Sequence, residues 1–143
     1  SLRERVQAAG LTEFVHFAGE LTLARYRDWF NAAYLTLMPT HHHEGMPRTL
    51  IDSQAMHVPP LVYDIGGTPD GVRHNQTGFL LKLGDVAAMT ESAATLLANP
   101  AQRHEMAAKG RAFVEAEFSM DAFLARHEQF YLETVARHRQ KNR

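Results

Sequence analysis

Residues 34–63 read YLTLM-PTHHHEGM-PRTLIDSQAMHVP-PLVY, and this stretch decides the fold. Tyr34–Met38 is a short, largely apolar run, as expected of a strand covered by helices on both faces. A loop, Pro39–Met46, follows it. Pro47 suits the first turn of a helix, where a missing N–H loses no hydrogen bond. Ile51, Ala55 and Val58 give that helix one apolar stripe. Pro59 and Pro60 stop it, and Leu61–Tyr63 reads as another strand. Strand, helix, strand is the repeating unit of a parallel sheet.

Working outward, Val15–Ala18 (VHFA) is a strand candidate closed by Gly19. Thr22 suits an N-cap for a helix carrying Leu23, Tyr26, Phe30 and Ala33. Downstream, Ile65–Asp70 (IGGTPD) is a glycine-rich turn and Gly78–Lys82 (GFLLK) a fourth strand. The remainder reads as helix. Val86, Met89, Ala93, Leu96 and Leu97 line one face, and Met106, Gly110 and Phe113 another. Ser119 can cap a last helix with Phe123, His127, Phe130, Tyr131 and Thr134 on one stripe, which spacing assigns to a core, the other reading being that Phe130 and Tyr131 are partly uncovered. With no repeat or linker, the prediction is one α/β domain over residues 1–143, with about four mainly parallel strands and a helical C-terminal third.

Of 143 residues, 45% are hydrophobic and 22% charged, and the formal net charge is −1, which argues against nucleic acid as a partner. There is no cysteine, which excludes disulfides and thiolate chemistry. No apolar run approaches the roughly 20 residues of a membrane span, and Arg3, Glu4 and Arg5 sit where the apolar core of a signal peptide would begin. The basic run Arg137–Arg143 reads as a solvated helix end. A cytoplasmic setting is the expectation, with contact at the inner membrane face only through a larger parent protein.

In a parallel sheet, ligands sit beyond the carboxyl ends of the strands, where loops enter helices. Two segments take that place: Glu44-Gly45-Met46-Pro47-Arg48-Thr49-Leu50-Ile51-Asp52, and Gly66-Gly67-Thr68-Pro69-Asp70. Gly45 lets a ligand approach the backbone. The unpaired amides of Arg48, Thr49 and Leu50, with the helix dipole, suit a phosphate or pyrophosphate. Glu44 and Asp52 offer carboxylates to hydroxyls. Amides for phosphate and carboxylates for ribose and hexose suit a nucleotide sugar. Turning and capping alone would also explain a Gly, a Pro and an acid in such a loop.

At these residues the chain resembles the C-terminal domain of family 4 retaining glycosyltransferases, which place two Rossmann-like domains across a cleft in the GT-B architecture. The resemblance rests on Glu44-Gly45-Met46-Pro47 through Asp52, Gly66-Gly67-Thr68-Pro69-Asp70-Gly71-Val72, and Thr77-Gly78-Phe79-Leu80 followed by Gly84-Asp85. Phe17-Ala18-Gly19, Gly110-Arg111 and Phe118-Ser119 add to it, in the family's order. It implies an incomplete Rossmann-like sheet, truncated on its N-terminal side, in the donor-binding half of a two-domain enzyme. It implies that Glu44 contacts the donor sugar, the Gly45 and Met46 amides lie against that sugar, the Thr49 and Leu50 amides hold the diphosphate and Asp52 the ribose. The Gly66-Gly67 turn would line the cleft floor. The implied reaction is retaining transfer of a hexosyl group from a UDP- or GDP-sugar to a glycan, lipid or other acceptor, with no metal and no cofactor.

Four positions depart from the pattern: Asp52 and Asp70 stand where Glu is usual, His57 replaces a helix-ending Gly, and Pro60 replaces an aliphatic residue, predicting that its strand pairs only from later residues. The family's preceding two βα units, with an Arg and a Lys for the diphosphate, and its N-terminal acceptor domain are not in these 143 residues. That separates Val15–Ala18 from its sheet, so either another molecule supplies the missing strands through self-association or the strand repacks. Alternatives stay open: a non-catalytic nucleotide-sugar-binding module, or a phosphorylase or epimerase of the same architecture. His41-His42-His43-Glu44 could bind a metal, although adjacent residues rarely converge on one centre.

Overall fold

A computed structural model describes residues 1–141 of the chain, which divides into two compact units, Ser1–Asn31 and Ala32–Arg143. The last two residues of the basic run, Asn142 and Arg143, lie outside the described residues.

In the first unit, α1 (Leu2–Ala8) opens with a capping box between Ser1 and Glu4, a local signature that satisfies two helix-end donors. α2 (Leu23–Ala32) opens at Thr22, whose Oγ1 accepts the Arg25 amide at 3.5 Å. Val15–Ala18 is not a strand. A strand exists through its ladder, and among the described residues no strand pairs with this segment.

The second unit carries a three-stranded parallel sheet in the order β1 (Thr36–Met38), β2 (Pro60–Tyr63), β3 (Phe79–Leu81). Three strands therefore stand where about four are expected. Its helices are α3 (Arg48–Ala55), α4 (Thr68–Gly71), α5 (Val86–Ala98), α6 (Pro100–Phe118) and α7 (Met120–Lys141). All four residues of β2 are buried. The pleat sends Leu61 and Tyr63 to a cluster with Ile65, Leu81, Met89, Leu96 and Met106, and sends Val62 to Leu50 and Val72 on the other face. Each such side chain contributes about 1.5–3 kcal/mol on burial, so the central strand holds both helical layers.

Several expectations change at this level. Pro60 enters the ladder opposite Thr36, because the Thr36 amide reaches the Pro59 carbonyl at 3.1 Å and asks nothing of the proline nitrogen. The inner face of α3 is Leu50, Ser53 and Gln54 rather than a stripe of Ile51 and Ala55. Ser53 Oγ donates to the Leu50 carbonyl, and Gln54 Nε2 to those of Leu50 and Gly71 at 2.9 and 2.8 Å. Those bonds offset the burial of the two donors, while Gln54 Oε1 has no hydrogen-bond partner among the described residues. Arg103 is likewise 8% exposed, its Nη1 donating to the Leu96 carbonyl at the end of α5 while its guanidinium lies over Tyr34.

His57 ends α3 in the left-handed region, φ +59°. The Val58 amide donates to the Ser53 carbonyl and the His57 amide to that of Gln54, the two bonds of a Schellman cap. A side chain held at that φ costs about 1–2 kcal/mol. His57→Gly is expected to raise the melting temperature, offset in part by chain entropy, for a net gain of about 0.5–1 kcal/mol. A thermal melt in which His57→Gly falls below wild type rejects this.

Ser119 caps α7, its Oγ accepting the Ala122 amide at 3.2 Å. The helix buries none of its residues, and Phe130 and Tyr131 are each 64% exposed. Among the described residues the stripe is thus not core, and Phe130 and Tyr131 are the partly uncovered pair. Among the described residues no helix is long and apolar enough to cross a membrane.

Candidate functional site

The carboxyl ends of β1 and β2 open into the two segments singled out by sequence, and the structure brings them into main-chain contact. The Gly67 amide donates to the Glu44 carbonyl at 3.0 Å. A Cβ on Gly67 would stand 2.5 Å from Met46 N and 2.7 Å from Gly45 C, and one on Gly66 would overlap the Glu44 carbonyl oxygen. Gly66 also has φ +58°, where L side chains are strained. Two glycines are needed because backbone meets backbone.

Thr68 holds the turn in that shape. Its buried hydroxyl lies 2.7 and 2.8 Å from the Tyr63 and Ile65 carbonyls and accepts the Ile65 amide at 3.1 Å. With no water to compete, these bonds tie the end of β2 to the first residue of α4. The role of Thr68 was not assigned from sequence, although a Thr after Gly-Gly is a known local turn former.

Glu44 and Gly45 are exposed. The half-buried Met46 turns its side chain inward beside Gly71 and Leu50, leaving its main chain in the loop. Pro47 is extended, φ −66° and ψ 128°, and stands one residue before α3. The Leu50 amide does not face outward as expected. It donates to the Pro47 carbonyl at 3.0 Å, and Leu50 is fully buried. The first turn closes on itself there. The donors left at the start of α3 are those of Arg48 and Thr49, which no hydrogen bond among the described residues engages. Asp52 lies one turn on and pairs with Arg48 at 3.5 Å, a pair worth under about 1 kcal/mol given the exposed arginine.

Among the described residues no three His, Asp or Glu side chains gather as metal ligands do. All three histidines, His41, His42 and His43, are exposed, and the His41 ring sets one edge against Tyr63, 5.5 Å between centroids.

Residues 1–113 match the family described as glycosyl transferases group 1. The chain is 29% identical over 138 residues to a D-inositol 3-phosphate glycosyltransferase of Streptomyces scabiei (strain 87.22), covering 96% of this chain and 30% of that protein. It is 33% identical over 123 residues to a GDP-mannose-dependent monoacylated alpha-(1-6)-phosphatidylinositol monomannoside mannosyltransferase of Corynebacterium glutamicum, covering 80% of this chain and 31% of that protein. Among solved structures, the sucrose-phosphate synthase from Thermosynechococcus elongatus superposes with a TM-score of 0.83 at 25% identity, over 94% of this chain and 34% of that one. Anabaena Alr3699/HepE in complex with UDP superposes at 0.80 and 20% identity, over 94% and 35%. The chain spans about a third of the length of these proteins.

Proposed function

The chain belongs to the group 1 glycosyltransferases, and from that premise we propose that it is the donor-binding half of a two-domain enzyme that transfers a hexosyl group with retention and without a metal. The acceptor is a glycan, lipid or other molecule bound by a further domain of the parent. The parent works in the cytoplasm, where nucleotide sugars are made available to it.

The observation that carries this reading is the main-chain clasp between Glu44–Met46 and Gly66–Gly67 beside the open start of α3. The diphosphate of a UDP- or GDP-sugar lies against the Arg48 and Thr49 amides, where the helix dipole favours negative charge. The Leu50 amide, already engaged, takes no part. Glu44 accepts hydrogen bonds from the donor sugar's hydroxyls, the Gly45 and Met46 amides flank that sugar, Pro47 sets the entry into α3, and Asp52 meets the ribose. Gly66 and Gly67 form the floor beneath the transferred group. As the glycosidic bond lengthens, charge grows on the leaving diphosphate, and fixed donors at the helix start stabilise it more than they stabilise the ground state.

Calorimetric titration of the full-length parent with UDP, GDP and their sugars, with chelator present, tests this. One nucleoside diphosphate is expected to bind saturably; absence of any heat with all of them rejects the assignment. Glu44→Gln is expected to slow transfer about ten- to hundredfold, the worth of a hydrogen bond to a charged group. Its melting temperature is expected to stay at wild type, because Glu44 is exposed. Unchanged activity removes Glu44 from its role.

A further inference from the structure

Loop 39–46 is fastened to segment 63–67 at two points. Near its end the Gly67 amide holds the Glu44 carbonyl. Near its start the His41 ring meets the Tyr63 ring, with 65° between planes. Tyr63 is 1% exposed and packs within the cluster of Leu61, Ile65 and Leu81, so it is a rigid partner. The His41 Cε1 also lies 3.8 Å from where a Cβ on Gly84 would stand, which brings the segment after β3 against the same ring. Held only at residues 44–46, where main chain meets Gly66 and Gly67, the loop would have no anchor on its upstream side. A second fastening three residues upstream supplies one.

We propose that His41 is a positioning residue, one that fixes the direction in which the Glu44 carboxylate leaves the loop; this rests on the donor-site reading above. Nothing in the contact depends on charge. It is a ring packed on a ring, so another aromatic side chain keeps it.

The test uses the full-length parent with UDP-glucose or GDP-mannose, whichever the titration selects, and compares His41→Ala, His41→Phe and Glu44→Gln. His41→Ala is expected to lower kcat about tenfold, since a small misplacement of a reacting group is costly. Its KM for the donor is expected to stay within about twofold, because the amides that hold the diphosphate sit on α3. His41→Phe is expected to return kcat to within about threefold of wild type. Should the alanine variant fail to fold, His41→Asn, polar but ringless, carries the same expectation. Wild-type kcat in the ringless variant, or no rescue by phenylalanine, overturns the proposal. Failure of the donor-site reading looks different: neither sugar nucleotide binds wild type, or Glu44→Gln keeps full activity, and the role of His41 then falls with it.

Discussion

Gly67→Ala is expected to lower kcat/KM of the full-length parent by about a hundredfold or more. The new methyl would stand 2.5 Å from Met46 N and 2.7 Å from Gly45 C, closer than real Cβ atoms approach main chain. No flexible side chain is there to move aside. Relief requires the Glu44–Met46 backbone to retreat, and that movement also breaks the bond between the Gly67 amide and the Glu44 carbonyl. Both the proposed sugar contact and the entry into α3 would shift together, so the donor KM is expected to rise as kcat falls. Steady-state kinetics of transfer from the selected sugar nucleotide measure this. An alanine variant within twofold of wild type would show that the two segments have no need to touch.

Gly78→Ala acts at the opposite end of the strands and on stability alone. A Cβ there would overlap the Pro60 carbonyl oxygen and stand 2.9 Å from the Pro60 ring Cγ. Pro60 begins the central strand, and Gly78 precedes β3, which pairs with that strand from Leu61 onward. Separating them strains the sheet where both faces are buried. The expected cost is roughly 3 kcal/mol, the upper range for overpacking a core, or about 6–12 °C in melting temperature for a domain of this size. A thermal melt within about 2 °C of wild type would reject it.

The strands that sequence located are short apolar runs, Tyr34–Met38 among them, which holds β1. Leu61–Tyr63 and Gly78–Lys82 read as apolar runs between turn residues; the first gains Pro60 and the second narrows to Phe79–Leu81. Val15–Ala18 failed because four residues of mixed polarity look the same with or without a neighbour to pair with. Ser53 and Gln54 carry no apolar signal for burial, because the carbonyl that draws Gln54 inward belongs to Gly71, 17 residues away. In the same way each half of the candidate site was visible from its own glycine, proline and acid. Their joining, Glu44 to Gly67, was not, because a main-chain contact leaves no periodicity in the residues between. The Ser1–Glu4 capping box is the opposite case, a purely local pattern readable from four letters.

The join between the two segments uses only peptide atoms of residues 44, 45 and 46; their side chains contribute none of it. The exposed Glu44 side chain can therefore be altered while the frame beneath it stays assembled. Loss of the Glu44 carboxylate and collapse of the loop are thus separable events, the first read in turnover and the second in a thermal melt.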